Sequence, residues 1–134
     1  MDLTQISFNS DQTWNGDPKY TETLINVGYL KFAEHWRTPR FAYWPSLGDN
    51  YWKYSRKFDI IANRLLKKFL GISVREIGAM EIVKEHLGIH PELVLDPTLI
   101  IDKKYYLDLI KDFKTNFKLK EKHLCIYQLD KNIL

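Results

Sequence analysis

A single cysteine, Cys125, stands in the 134 residues of this chain. No disulfide framework can staple it, and a lone thiol inside an apolar run reads as a buried group in a reducing compartment. No apolar run approaches the about 20 residues of a membrane-spanning helix, and no early apolar stretch resembles a signal peptide. The chain therefore reads as cytoplasmic. Charge of one sign is also scarce: 20 Lys and Arg face 17 Asp and Glu, a net of +3. That excess is too small and dispersed for nucleic acid, and the lysines of "FKTNFKLKEKH" read as a solvated loop. His35, His86, His90 and His123 share no metal-ligand spacing with one another or with Cys125. There is no G-x-G-x-x-G or Walker glycine pattern, no nucleophile elbow, and no internal repeat. His123 and Cys125 alternate along one strand, which makes them a structural pair.

What is present is an ordinary globular composition, 45% apolar, at the length of one domain. Three of the four tryptophans, Trp36, Trp44 and Trp52, fall close together beside Phe41, Tyr43, Tyr51 and Tyr54. They read either as a core or interface cluster or as the wall of a ligand cleft.

Periodicity divides the chain into alternating elements. Gln5 to Phe8 reads as a short strand running into a polar loop, and "YLKF" and "RFAYW" are the next strand candidates. Phe58, Ile61, Ala62, Leu65, Leu66 and Phe69 then form one apolar stripe at helical spacing, with Gly71 as the stop. "ISV" is a strand, and Ile77 to Leu87 a helix that buries Ala79, Ile82, Val83, His86 and Leu87 and closes at Gly88. "ELVL" is a strand. Lys103 to Phe113 is a helix capped by Asp102, with Tyr106, Leu107, Ile110 and Phe113 as its stripe, and "HLCIYQL" is a last strand. Strands alternating with amphipathic helices build βαβ units, so the expected class is α/β: a doubly wound, Rossmann-like parallel sheet with flanking helices.

Open parallel sheets bind ligands beyond the carboxyl ends of their strands. The residues expected there are Ser10, Asp11 and Gln12 after the first strand, Ser46 after "RFAYW", Arg75 and Glu76 after "ISV", and Asp96 after "ELVL". Arg75 opens a helix, where a guanidinium and free N–H groups together suit a phosphate or carboxylate. If the two strands are neighbours, Arg75 and Asp96 are also placed to pair. Glu76 suits the helix dipole, and Asp96, Asp11 and Ser10 suit turns and caps.

Four segments in this order resemble the polysaccharide pyruvyl transferase family: "NSDQTWN", "FAYWPSLGDNYW", "ISVRE" and "VLDPTLIID", spanning residues 7 to 106. "IYQLDKN" resembles the first strand of that family's second domain. Trp44 and Pro45 stand where the family has a small residue before its S-x-G turn.

The resemblance implies a GT-B-like architecture of two domains, with residues 1–118 as the later part of the first domain and 119–134 as a linker end and first strand of the second. It implies transfer of pyruvate from phosphoenolpyruvate to a sugar hydroxyl of a cell-surface polysaccharide, as a ketal, with no cofactor and no metal. A glycan acceptor is the implied partner, with room for peripheral association with a polysaccharide-assembly system. Arg75 would hold the anionic donor, while Ser10, Asp11, Gln12, Ser46, Glu76 and Asp96 shape the cleft. No catalytic base is assigned. The chain reads as a fragment, inactive alone, because upstream units and the second domain are expected outside it. Two rival readings are a sugar-nucleotide-dependent GT-B glycosyltransferase half-domain and a non-enzymatic remnant serving as a partner surface.

Overall fold

A computed structural model describes residues 5–8, 13–15 and 18–113. The chain divides into two compact units, Met1–Ile100 and Ile101–Leu134. The expected strand "HLCIYQL", with His123 and Cys125, and the candidate residues Ser10, Asp11 and Gln12 lie outside the described residues.

The first unit is an α/β fold. Strands β1 (Ile6–Phe8), β2 (Arg40–Ala42), β3 (Gly71–Val74) and β4 (Glu92–Leu93) form a parallel sheet in the order β1-β2-β3-β4. Helices α1 (Thr21–Gly28), α2 (Arg56–Leu66) and α3 (Ile77–Leu87) lie in the successive crossovers, and the short α4 (Pro97–Ile100) follows β4. Strand order never reverses among the described residues, so the sheet is wound in one direction there rather than doubly. Right-handed crossovers stepping one way place their helices on one face.

Burial agrees. Register pairs Phe8 with Ala42 and Ala42 with Ile72. Ala42 and Val74 are buried with Phe58, Ala62, Leu65, Leu66, Val83 and Leu87, and Ile6, Phe8 and Ile72 pack against that core. Each such apolar side chain taken from water contributes about 1.5–3 kcal/mol. The other face carries Phe41, Tyr43, Gly71, Ser73, Glu92 and Val94, which line a shallow, largely apolar depression.

Helix α2 starts where Ser55 Oγ accepts the Phe58 N–H at 3.4 Å and buries Phe58, Ala62, Leu65 and Leu66. It ends at Leu66, short of the expected Gly71, because Lys68 and Phe69 close tight turns onto Leu65 and Leu66. Gly71 instead opens β3, where a Cβ would lie 3.2 Å from the Phe41 ring. Helix α3 has the expected bounds, and Gly88 closes it in the left-handed region, φ +61°, with its N–H on Lys84 O. His86 is only partly buried, stacked on Trp52 at 5.1 Å.

"YLKF" is not a strand. The preceding residues form α1, and Leu30 turns through φ +53° into a single helical turn, Lys31–Ala33. Leu24, Ile25, Gly28 and Tyr29 are all buried, a helical spacing that continues into the apolar run and masks it. Trp14 stacks on Tyr29 and donates its indole N–H to Gly28 O at 2.9 Å, locking the helix end. The other tryptophans do not form one cluster. Trp52 packs on Tyr54 and Phe58, Trp36 sits exposed against Phe32, and Trp44 stands at the carboxyl edge of the sheet.

In the second unit, α5 (Lys103–Ile110) starts where Asp102 accepts the Lys104 N–H at 2.7 Å, as the cap predicted. It stops at Ile110 rather than Phe113, and none of its residues is buried. Among the described residues no helix is long and apolar enough to cross a membrane.

Candidate functional site

The carboxyl ends of the four strands bring together segments that lie far apart in sequence. Phe8 ends β1, and its carbonyl accepts the Tyr43 N–H at 2.9 Å. The Trp14 N–H reaches Ser46 O at 3.1 Å. These two bonds tie the segment after β2 to the end of β1 and to Trp14.

Beyond β2 the backbone turns sharply. Trp44 has φ +50° and Gly48 φ +69°. Pro45 and Ser46 are buried. The Ser46 hydroxyl accepts the Gly48 N–H at 3.1 Å, so it serves its own turn. Gly48 is required there, since a Cβ would run into the Asn15 side-chain amide in addition to the left-handed φ. Lys53 completes this knot, donating to Asn15 Oδ1 at 2.5 Å and Asp49 Oδ2 at 2.6 Å. The Asp49 hydrogen bond raises the Lys53 pKa. Tyr54 donates to Trp14 O at 3.2 Å.

β3 delivers Arg75 and Glu76 to the same edge. Glu76 is the first flanking residue of α3, and its side chain makes no capping bond. That side chain therefore satisfies none of the helix's first N–H groups. A cavity of about 90 Å³ lies at this helix end, lined by Leu47, Gly48, Asp49, Asn50, Glu76 and Ala79. Gly78 keeps Asn50 close, for a Cβ there would sit 3.3 Å from its Oδ1.

Arg75 is held on several sides. Its Nε donates to Glu76 Oε1 at 2.9 Å, its Nη1 to Asp96 Oδ2 at 2.5 Å, and its guanidinium lies 5.6 Å from the centre of the Trp44 ring. Asp96 is oriented in turn by Thr98, whose N–H and hydroxyl donate to Oδ1 at 2.9 and 2.6 Å. Those Thr98 bonds, with Arg75 adding to them, hold the Asp96 carboxyl below its usual range. One guanidinium against two carboxylates gives this cluster a formal charge of −1.

Arg75, Glu76, Asp96 and Ser46 are thus on one edge. Arg75 pairs with Asp96 as their expected neighbouring strands require, and Glu76 joins the same cluster instead of standing apart at the helix dipole. Sequence reasoning passed over Trp44 as a partner of Arg75, and the Asn15–Lys53–Asp49 knot. Asn15 and Asp49 do lie in quoted segments, but nothing local marks Lys53 as their bridge. Among the described residues no group of three His, Cys, Asp or Glu is placed to hold a metal.

Residues 9–133 match the family model described as polysaccharide pyruvyl transferase. No curated protein matches the chain, and no solved structure does.

Proposed function

The chain belongs to the polysaccharide pyruvyl transferase family, and from that premise we propose that it carries part of the donor site of an enzyme joining the pyruvyl group of phosphoenolpyruvate to a sugar of a polysaccharide as a ketal. In that reaction two sugar hydroxyls bond through oxygen to C2 of the donor, and of the two protons they release one goes to C3 and one to the departing phosphate. The C2–O bond to phosphate breaks, and orthophosphate leaves with the electron pair. The work asked of the protein is to hold a doubly anionic donor and to stabilise the departing phosphate. In this reading the chain supplies part of one domain of a GT-B-like two-domain enzyme, and phosphoenolpyruvate is a substrate rather than a resident cofactor.

The observation that carries the reading is Arg75, fixed at the carboxyl end of β3 and at the start of α3. A guanidinium offers a planar fork of donors matching phosphate or carboxylate, and the adjoining helix end adds partial positive charge. Asp96 and Glu76 restrain that fork while opposing an anion by their charge. The donor's second anionic group then needs a further cation, which the reading assigns to the second domain of that architecture. Ser46 supports the loop, and Ser10, Asp11 and Gln12 are proposed to help shape the donor site.

Isothermal calorimetry with phosphoenolpyruvate tests this directly. Binding by the native protein, weakened about tenfold or more in Arg75→Ala, is the expected result. Equal binding by Arg75→Ala removes Arg75 from the site. Binding of a sugar nucleotide but not of phosphoenolpyruvate makes the protein a glycosyltransferase instead.

A further inference from the structure

Trp44 holds a backbone conformation that a bulky side chain rarely adopts. Its φ of +50° lies in the left-handed region. Such strain persists only where the surroundings enforce it, and it gathers at functional positions. Two neighbours enforce it here. The Trp44 N–H donates to Ser73 Oγ at 3.1 Å, and that hydroxyl, nearly buried in β3, donates onward to Ala42 O at 3.3 Å. On the other side Pro45 is buried and fixes its own φ.

The strain has a geometric consequence. Side chains alternate between the faces of a strand. Ala42 and Val74 face the helices, so straight continuation would send Trp44 to the helix side, with Ala42, and Arg75 to the opposite side, with Ser73. The two could not meet. The left-handed step at Trp44 breaks the alternation and carries the indole across to the Arg75 guanidinium, 5.6 Å from the ring centre. The guanidinium is then limited at its edges by the carboxylates of Glu76 and Asp96 and across its plane by an aromatic ring.

Resting on the donor reading above, we propose that Trp44 is a positioning residue: its strained backbone, locked by Ser73, holds the indole over Arg75 so that the guanidinium meets the donor anion in one orientation. The carboxylates restrain the guanidinium at its edges, and the ring restrains it from its face. The ring does so without adding negative charge, a useful property where two carboxylates already oppose an anion.

The test uses the full chain with Trp44→Gly, Trp44→Phe and Ser73→Ala. Glycine is at home at φ +50°, so Trp44→Gly removes the ring while relieving the backbone. Two quantities are read: the nuclear magnetic resonance signal of the Arg75 Nε–H group, identified by its loss in Arg75→Lys, and calorimetric affinity for phosphoenolpyruvate. In Trp44→Gly the signal is expected to move toward that of a solvated arginine and exchange faster, with affinity falling about tenfold. Trp44→Phe is expected to retain the native signal and affinity within about threefold. Ser73→Ala should fall between them. A native-like Arg75 signal in Trp44→Gly overturns the role of Trp44, whether or not the donor binds. So does a Trp44→Phe protein as impaired as Trp44→Gly. Failure of the native chain to bind phosphoenolpyruvate overturns the donor reading, and the Arg75 signal still decides the coupling of Trp44 to Arg75.

Discussion

Arg75 and Asp96 lie 21 positions apart and meet at 2.5 Å across the carboxyl edge of β3 and β4. One crossover helix brings them there, and Thr98 holds the carboxylate in place before the arginine is considered. The pair is partly exposed, with side chains at 19% and 24%. It is accessible to a ligand and to titration.

Removing one negative charge from this cluster should favour an anion. Asp96→Asn keeps the Thr98 turn and an oxygen near Arg75 while taking the cluster from −1 to neutral. Affinity for phosphoenolpyruvate should tighten about threefold to tenfold at low salt, with the gain shrinking as salt rises. A weakened affinity in calorimetry would show that the charge-assisted bond orienting Arg75 outweighs the repulsion.

The same carboxylate sets an acid dependence. Its folded pKa lies below the ordinary value, so its contribution is present above the unfolded pKa of about 3.9 and lost as pH falls through the folded value. The thermal midpoint of Asp96→Asn should lie below that of the native protein near neutrality and converge with it in strong acid. A constant gap at every pH would assign the loss to packing rather than ionisation.

Gly48 tests the loop. Gly48→Ala places a side chain at φ +69° and into the Asn15 amide, and should cost about 1–3 kcal/mol in urea unfolding. Combining it with Asn15→Ala should return the steric share and leave the backbone share. Simple additivity of the two substitutions would contradict the contact.

Lys53 bridges Asn15 and Asp49 with a side chain 21% exposed. Lys53→Met should destabilise by about 1 kcal/mol. Because its pKa is raised, that contribution is whole below the unfolded value of about 10.4 and disappears as pH climbs through the folded one. Chemical denaturation at neutral and strongly alkaline pH separates this from a loss of side-chain packing, which would not titrate.

Arg40 offers a contrast with Arg75. It is 2% exposed at the start of β2 and donates through Nη2 to the carbonyls of Ala33 and Trp36. Its Nε and Nη1 have no hydrogen-bond partner among the described residues. Arg40→Met keeps the volume and removes a poorly compensated charge, so it should change stability by less than about 1 kcal/mol, whereas Arg40→Ala should cost about 3 kcal/mol through the cavity. Equal losses in urea melts would mean that the two carbonyl bonds, not the filled space, hold this end of the strand.

Much of this protein was legible in its sequence because the information is local. The stripe from Phe58 to Leu66, the helix from Ile77 to Leu87 with its closing glycine, and the Asp102 cap follow from spacing and from bonds that reach three or four residues. One βαβ unit then placed Arg75 and Asp96 on one edge. Helix α1 was not legible, because an apolar run as short as "YLKF" fits a strand as well as the end of a helix until Trp14 and Tyr29 are seen to stack. Only tertiary structure decided that the described strands wind in one direction, that Glu76 joins Asp96 on Arg75, that Lys53 ties two distant loops, and that Trp44, at a left-handed φ, lies against Arg75. Each of these depends on a backbone angle or on where a side chain is turned in the folded chain, and a periodic pattern along one chain carries no record of either.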